Sequence, residues 1–302
     1  MIWTYRDGYG REARLRRKVV LGHAQVAGRG LRHFVAVWIK PLHSLFSNRQ
    51  LYWELLVRDI LTNVRGSMLG LAWVLITPLV LVAIYTFVFG VVLKSTWIGQ
   101  TESPLEVPLI YFLGLVTFSF FFEIITRSPE FIRSNKTYVT KIVFPVDILA
   151  WVVVGTSAMK LLASIALLAV FMVLVMGHLP AGLLLLPVIY LPLLFLCTGL
   201  AWILNAIGTY VRDLYQFLLA VAPVFMFVSP IFYSIEQVPS SARAVFWFNP
   251  LTFVLENARA VLFFDGRIDW TGYLTFWAGA LLVFFAGYAF FQKARRGFAD
   301  VI

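Results

Sequence analysis

The 302 residues are 61% hydrophobic and 13% charged, with a formal net charge of +10. A water-soluble domain has about a quarter of its residues charged, so this chain carries more apolar surface than a soluble interior hides and lipid must cover part of it. The one cysteine, Cys197, excludes a disulfide framework and a cysteine-rich metal site. His23, His33 and His43 recur every ten residues, a spacing that suits no metal ion.

The positive charge is concentrated at the start, where 12 of the 25 Lys and Arg precede Gly66. A basic stretch beside a membrane span is a topology signal with anionic-lipid contact, so no nucleic-acid partner is expected. Residues 1–30 are charged and lack the apolar core of a signal peptide. We read residues 1–48 as a basic cytoplasmic segment and 49–302 as the membrane domain.

Gln50–Val64 reads as an amphipathic helix. Gln50, Glu54, Arg58 and Thr62 share one face, and Trp53, Leu56, Val57, Ile60 and Val64 lie opposite. Glu54 and Arg58 are spaced for an i, i+4 pair. Two readings stand: a helix lying in the inner interface, or a cap on the first span. Six apolar runs follow at 66–93, 108–126, 147–176, 181–210, 217–233 and 273–291. Each meets the requirement of about 20 apolar residues for a core about 30 Å thick, or comes near it. Gly177-His178-Leu179-Pro180 separates the third from the fourth.

Six spans place both termini on one side. With that side cytoplasmic, the inner segments hold twenty Lys and Arg. The outer ones hold only Lys94, Arg243, Arg259 and Arg267. The excess of positive charge orients the chain with both ends inside.

Arg127–Phe144 reads as a cytoplasmic loop with a helix in it, Ser128 as N-cap and Pro129 in the first turn. It is either a solvated connector or a docking knob for another protein. The last outer segment, 236–269, is helical in pattern rather than loop-like. Asn249 can cap and Pro250 can open a helix, and Gly266 stands where a C-terminal cap belongs. About 15 residues at ~1.5 Å each are too few to cross, so a pair of short helices dipping into the outer leaflet is expected.

The sequence has no Gly-x-x-x-x-Gly-Lys-Ser/Thr loop, no His-Glu-x-x-His and no Gly-x-Ser-x-Gly. Glu123, Asp147, Lys160 and Asp213 fall at different depths, so no catalytic residue and no metal ligand is assigned. Lys160 either lines a polar passage, or snorkels to the interface, or forms a structural pair with Glu123 or Asp147. Aromatic residues crowd two spans, among them Tyr85, Phe89, Phe118 and Phe122. Their rings are candidates to line a channel for a sugar polymer, or they are packing and interface residues.

These residues bring a family into view. Arg58-Asp59, then Arg65-Gly66-Ser67-Met68-Leu69-Gly70-Leu71-Ala72-Trp73, Pro78 and Tyr85-Thr86-Phe87-Val88-Phe89-Gly90 resemble the entry of the type-2 ABC exporter permeases, in the branch exporting O-antigen, teichoic acid and capsule polysaccharides. Lys141 to Pro145, Arg212-Asp213-Leu214, Ser229-Pro230-Ile231-Phe232-Tyr233, Val238-Pro239, Asn249-Pro250-Leu251 and Arg259 to Gly266 continue the likeness in order. The resemblance implies an all-α integral membrane half-transporter of six transmembrane helices, with an interface helix and outer re-entrant gate helices. Two copies would form the channel for a lipid-linked polysaccharide, most simply O-antigen. Two copies of a separate ABC ATPase would bind ATP and Mg below, so this chain needs no cofactor and is not an enzyme.

Carried onto this chain, coupling to the ATPase falls to Ser128, Glu130, Phe131, Arg133, Lys136, Tyr138 and Lys141. The interface helix carries Trp53, Glu54 and Arg58, and the channel candidates are Tyr85, Phe89, Phe118, Phe122 and Lys160. The outer gate carries Tyr233, Asn249, Pro250, Glu256 and Arg259. The rival readings are a type-2 permease for a drug or small lipid, and an intramembrane enzyme.

Overall fold

The computed structural model describes residues 40–63, 69–92, 106–139, 144–264 and 266–300. Lys141, Val64, the first 39 residues and the start of the first apolar run lie outside the described residues. Residues 40–47 form a short helical segment belonging to a separate unit. From Asn48 onward the chain is one helical unit.

Helix α1 is Arg49–Asn63. The first apolar run is a 3-10 turn at Gly70–Ala72, α2 at Trp73–Tyr85 and a π-helical stretch at Thr86–Val92. The second is α3, Glu106–Ser134, and the third is α4, Ile148–Met176. The fourth is a 3-10 turn, Ala181–Leu185, running into α5, Leu186–Tyr210. The fifth is α6, Leu214–Val228. Short helices α7, Ser240–Trp247, and α8, Pro250–Phe263, precede the sixth, α9, Trp270–Ala294. Four of the six runs are helices long and apolar enough to cross a membrane, while Trp73–Val88 and Leu214–Val228 are shorter apolar helices.

Helix α3 is the axis of the unit. It is buried on nearly every side and packs on α2, α4, α5, α6 and α8. The broadest helix pair is α5 with α9. Gly199 and Gly287 meet there backbone to backbone, and a Cβ on either would overlap the facing main chain. Small residues let membrane helices approach this closely and gain dispersion contacts in place of a hydrophobic drive. Trp202 sits beside that crossing, packed on Trp151, Phe284 and Tyr288, with its indole N–H donated to the Asp147 carbonyl at 3.0 Å.

Helix α4 stops at Gly177, whose φ of 74° is the left-handed conformation that closes a helix. Asn249 caps α8, its Oδ1 accepting from the Leu251 N–H at 2.9 Å, and Pro250 opens the helix. The expected pair of short helices in the last connection is α7 and α8. Helix α8 is the buried member and α7 has no buried residue. Gly266 is not in the left-handed region. Its N–H closes instead on the Ala260 carbonyl at 2.8 Å, and α8 ends at Phe263 without a glycine cap.

Two local expectations are corrected. Ser128 is not an N-cap and Pro129 does not open a helix, because α3 runs straight through both. Ser128 is fully buried and its hydroxyl donates to the Ile124 carbonyl at 2.6 Å. Pro129 packs against Gly208 of α5. The lost N–H of Pro129 is offset by this close packing, so the proline stays inside the helix.

The apolar face expected on α1 also splits. Leu55 and Leu56 are buried, with Tyr52 over Gly155 of α4, whereas Trp53 is 57% exposed and Val57 and Leu61 are exposed too. Trp53, Val57 and Leu61 recur every four residues, so α1 presents one apolar stripe to α4 and a second outward.

Candidate functional site

Helix α1 grips the end of α3 through two arginines. Arg58 does not pair with Glu54, whose carboxylate accepts from Gln50 Nε2 at 3.3 Å. Instead Arg58 Nη2 donates to Asn135 Oδ1 at 2.8 Å, and Nη1 donates to the Tyr138 hydroxyl. The guanidinium lies 4.6 Å from the centre of the Tyr138 ring. Arg127 of α3 reaches back to Asp59, Nη2 lying 2.9 and 2.8 Å from the two carboxylate oxygens.

The charges continue inward. Arg127 Nη1 donates to Glu123 Oε1 at 3.1 Å, and Lys160 Nζ of α4 donates to the same oxygen at 2.6 Å. Asp59, Arg127, Glu123 and Lys160 therefore form a chain of alternating sign that ties α1 to α3 and α3 to α4. The open choice for Lys160 resolves to a pair with Glu123 rather than Asp147. Lys160 also borders a cavity of about 310 Å³ between α2, α3 and α4, shared with Trp73, Thr77, Ser119, Phe120, Glu123 and Ser157.

Of the residues expected to couple to an ATPase, Glu130 and Lys136 are exposed and Arg133 is half-buried. Phe131 is only 7% exposed, stacked under Arg127 at 5.6 Å, and Tyr138 is held by Arg58 and Phe144. Phe131 and Tyr138 therefore anchor the segment from within. The exposed side of the segment is made by Glu130, Ser134, Lys136 and Thr137, and the helical sequence pattern alone did not separate the two sides. The grip of Arg58 was equally hidden, since Asn135 and Tyr138 lie some 80 positions away.

Of the channel candidates, Phe118 is buried and stacks on half-buried Phe122 at 5.3 Å and 14°. Tyr85 approaches Phe232 at 6.2 Å. The Phe89 side chain lies outside the described residues. Tyr85, Phe118 and Phe122 are not among the residues lining the cavity beside Lys160.

At the other end, three of the gate candidates, Asn249, Glu256 and Arg259, gather where the turn after α6 meets α8. Arg259 of α8 is 1% exposed and donates Nη1 to the Pro230 carbonyl and Nη2 to the Ile231 carbonyl, both at 2.6 Å. Glu256 approaches it at 3.8 Å. Asn249 Nδ2 donates to Ser229 Oγ at 2.8 Å, and the Tyr233 hydroxyl donates to the Phe227 carbonyl. The turn after α6 is thereby fastened to α8 by Asn249 and Arg259. Gly114 leaves room for the guanidinium against α3.

This order of elements matches the ABC-2 type transporter family model over residues 50–263. The chain belongs to that family. The ABC-2 match takes in α1, the charge chain, the cavity and the α8 anchor. Among curated proteins, the chain is 25% identical over 268 residues to the O-antigen export system permease protein RfbA of Myxococcus xanthus, covering 87% of this chain and all of that one. It is 23% identical over 250 residues to the protein of the same name in Klebsiella pneumoniae, covering 81% and 92%. As an ABC-2 transporter chain it is an all-α integral membrane protein, and its long apolar helices and the family match agree on that.

Proposed function

We propose that this chain is the permease subunit of an ABC exporter for a lipid-linked polysaccharide of the O-antigen type. The observation that carries this reading is its likeness, over 81–87% of its length, to permeases named for O-antigen export. In this reading two copies form the conduit and two copies of a separate ATPase chain bind ATP and Mg. The chain sits in the cytoplasmic membrane with both termini inside, as the distribution of Lys and Arg supports.

ATP-driven closure of the ATPases would push on the exposed residues Glu130 and Lys136. Arg58 and the Asp59–Arg127–Glu123–Lys160 chain would carry the push into α3 and α4 as one rigid piece. The test is deletion of the gene with measurement of polysaccharide on the cell surface. The reading expects surface polysaccharide to vanish, lipid-linked polymer to accumulate inside, and plasmid-borne wild type to restore export. Unchanged surface polysaccharide in the deletion strain would remove the reading.

A further inference from the structure

We propose that the cavity between α2, α3 and α4 is a binding subsite for a sugar ring presented from the membrane. It rests on the export reading for the source of that sugar, but its chemistry stands on the cavity itself. Each helix contributes one stripe: Trp73 and Thr77 from α2, Ser119 and Glu123 from α3, Ser157 and Lys160 from α4. The volume, about 310 Å³, lies at the lower end of small-ligand pockets.

Ser157 points to a ligand. Helical hydroxyls buried in apolar surroundings donate to the carbonyl four residues back, as Thr117, Ser128, Ser164 and Thr209 do here. Ser157 is 0% exposed and its hydroxyl has no hydrogen-bond partner among the described residues. Thr156 and Thr252 share that condition, but neither lines this cavity. A buried hydroxyl without a partner is destabilising against a satisfied one, and Ser157 carries the one such hydroxyl among the residues lining this cavity.

The charges decide the class of ligand. Glu123 and Lys160 bring one carboxylate and one ammonium to the wall, 2.6 Å apart, leaving it with no net charge. A phosphate would be attracted by Lys160 and repelled by Glu123. A sugar ring needs both, since each hydroxyl donates and accepts, and neighbouring hydroxyls bridge an acceptor and a donor side by side. Ser119, Ser157 and Thr77 extend that set. The Trp73 indole, 45% exposed, offers a flat apolar face to the C–H side of a ring. Glu123 lies one helical turn from Arg127, about 6 Å further along α3.

The test uses the full-length chain in lipid nanodiscs. The probes are short prenyl phosphates carrying one glucose, galactose, mannose or N-acetylglucosamine, the same prenyl phosphate without sugar, and the free methyl glycosides. At least one glycosylated probe is expected to bind at least tenfold more tightly than the bare prenyl phosphate. Ser157→Ala should weaken that binding about 3- to 10-fold without lowering the melting temperature, and Ser157→Leu, which fills the cavity, should abolish it. Competition by the free glycoside would assign recognition to the ring alone, and its absence to a ring held on a membrane lipid. Equal binding of the bare prenyl phosphate, or unchanged binding in both Ser157 variants, overturns the subsite. Normal export with no probe bound removes the cavity alone. Bound glycolipid with no export in vivo removes the transport reading alone.

Discussion

Arg58 spends its guanidinium on Asn135 and Tyr138, two partners at different angles with a ring beneath. A lysine has no planar fork with which to serve both. Arg58→Lys and Arg58→Ala are therefore both expected to lose about 1–2 kcal/mol of stability and to lower ATPase-coupled export several-fold. Thermal unfolding in detergent and surface-polysaccharide assays check this. Wild-type behaviour of Arg58→Lys would show that charge alone suffices. Gly287 is a second sensitive position. Gly287→Leu drives a side chain into the backbone of Gly199, with an expected cost of about 1–3 kcal/mol or more read as a lower melting temperature. The same change at Gly279, where a Cβ meets open space, should be near neutral.

At this scale the sequence was legible where chemistry is local. Asn249, Pro250 and Gly177 announce caps through groups one to four residues away. Ser128 and Pro129 carry the same signal, yet they lie inside α3. Gly208 and the Ile124 carbonyl supply from tertiary and intrahelical partners what a cap would otherwise supply. No nearest-neighbour pattern distinguishes the two cases.

Among elements, the alternating charges of Asp59, Arg127, Glu123 and Lys160 make α1, α3 and α4 one piece. Side chains here are 13–39% exposed, so each link is worth about 1 kcal/mol rather than a fully buried pair's value. Glu123→Gln leaves Lys160 without its carboxylate. Adding Lys160→Met should recover most of the lost stability, because removing both charges leaves neither stranded. A double-mutant cycle on melting temperatures measures it, and strict additivity of the two changes would contradict the pairing.

Four apolar runs coincide with long apolar helices, and α4 ends at the Gly177 break. The face of α1 was less plain. Its apolar residues form two stripes, because the helix meets protein through Leu55 and Leu56 and leaves Trp53, Val57 and Leu61 outward. Composition counts both stripes as one amphipathic side. Orientation is open to a direct check. In a Cys197→Ala background, Lys136→Cys should resist a membrane-impermeant maleimide on intact spheroplasts, and His178→Cys should react. The reverse labelling would invert the topology.

For the molecule as a whole, the family follows from a match across residues 50–263, and the sequence motifs already pointed there because they follow in order and at plausible spacing from about residue 50 onward. The substrate is harder to read, since Phe118 and Phe122 stack on each other and Tyr85 meets Phe232, and none of the three lines the cavity beside Lys160. The central claim is that this chain conducts a lipid-linked polysaccharide under the power of a separate ATPase. The most direct measurement reconstitutes the chain with that ATPase in proteoliposomes and follows fluorescent lipid-linked polysaccharide across the bilayer. The account predicts transfer that needs ATP and stops with an ATPase-dead partner. Transfer independent of the ATPase, or none when both subunits are intact and hydrolysing, would contradict it.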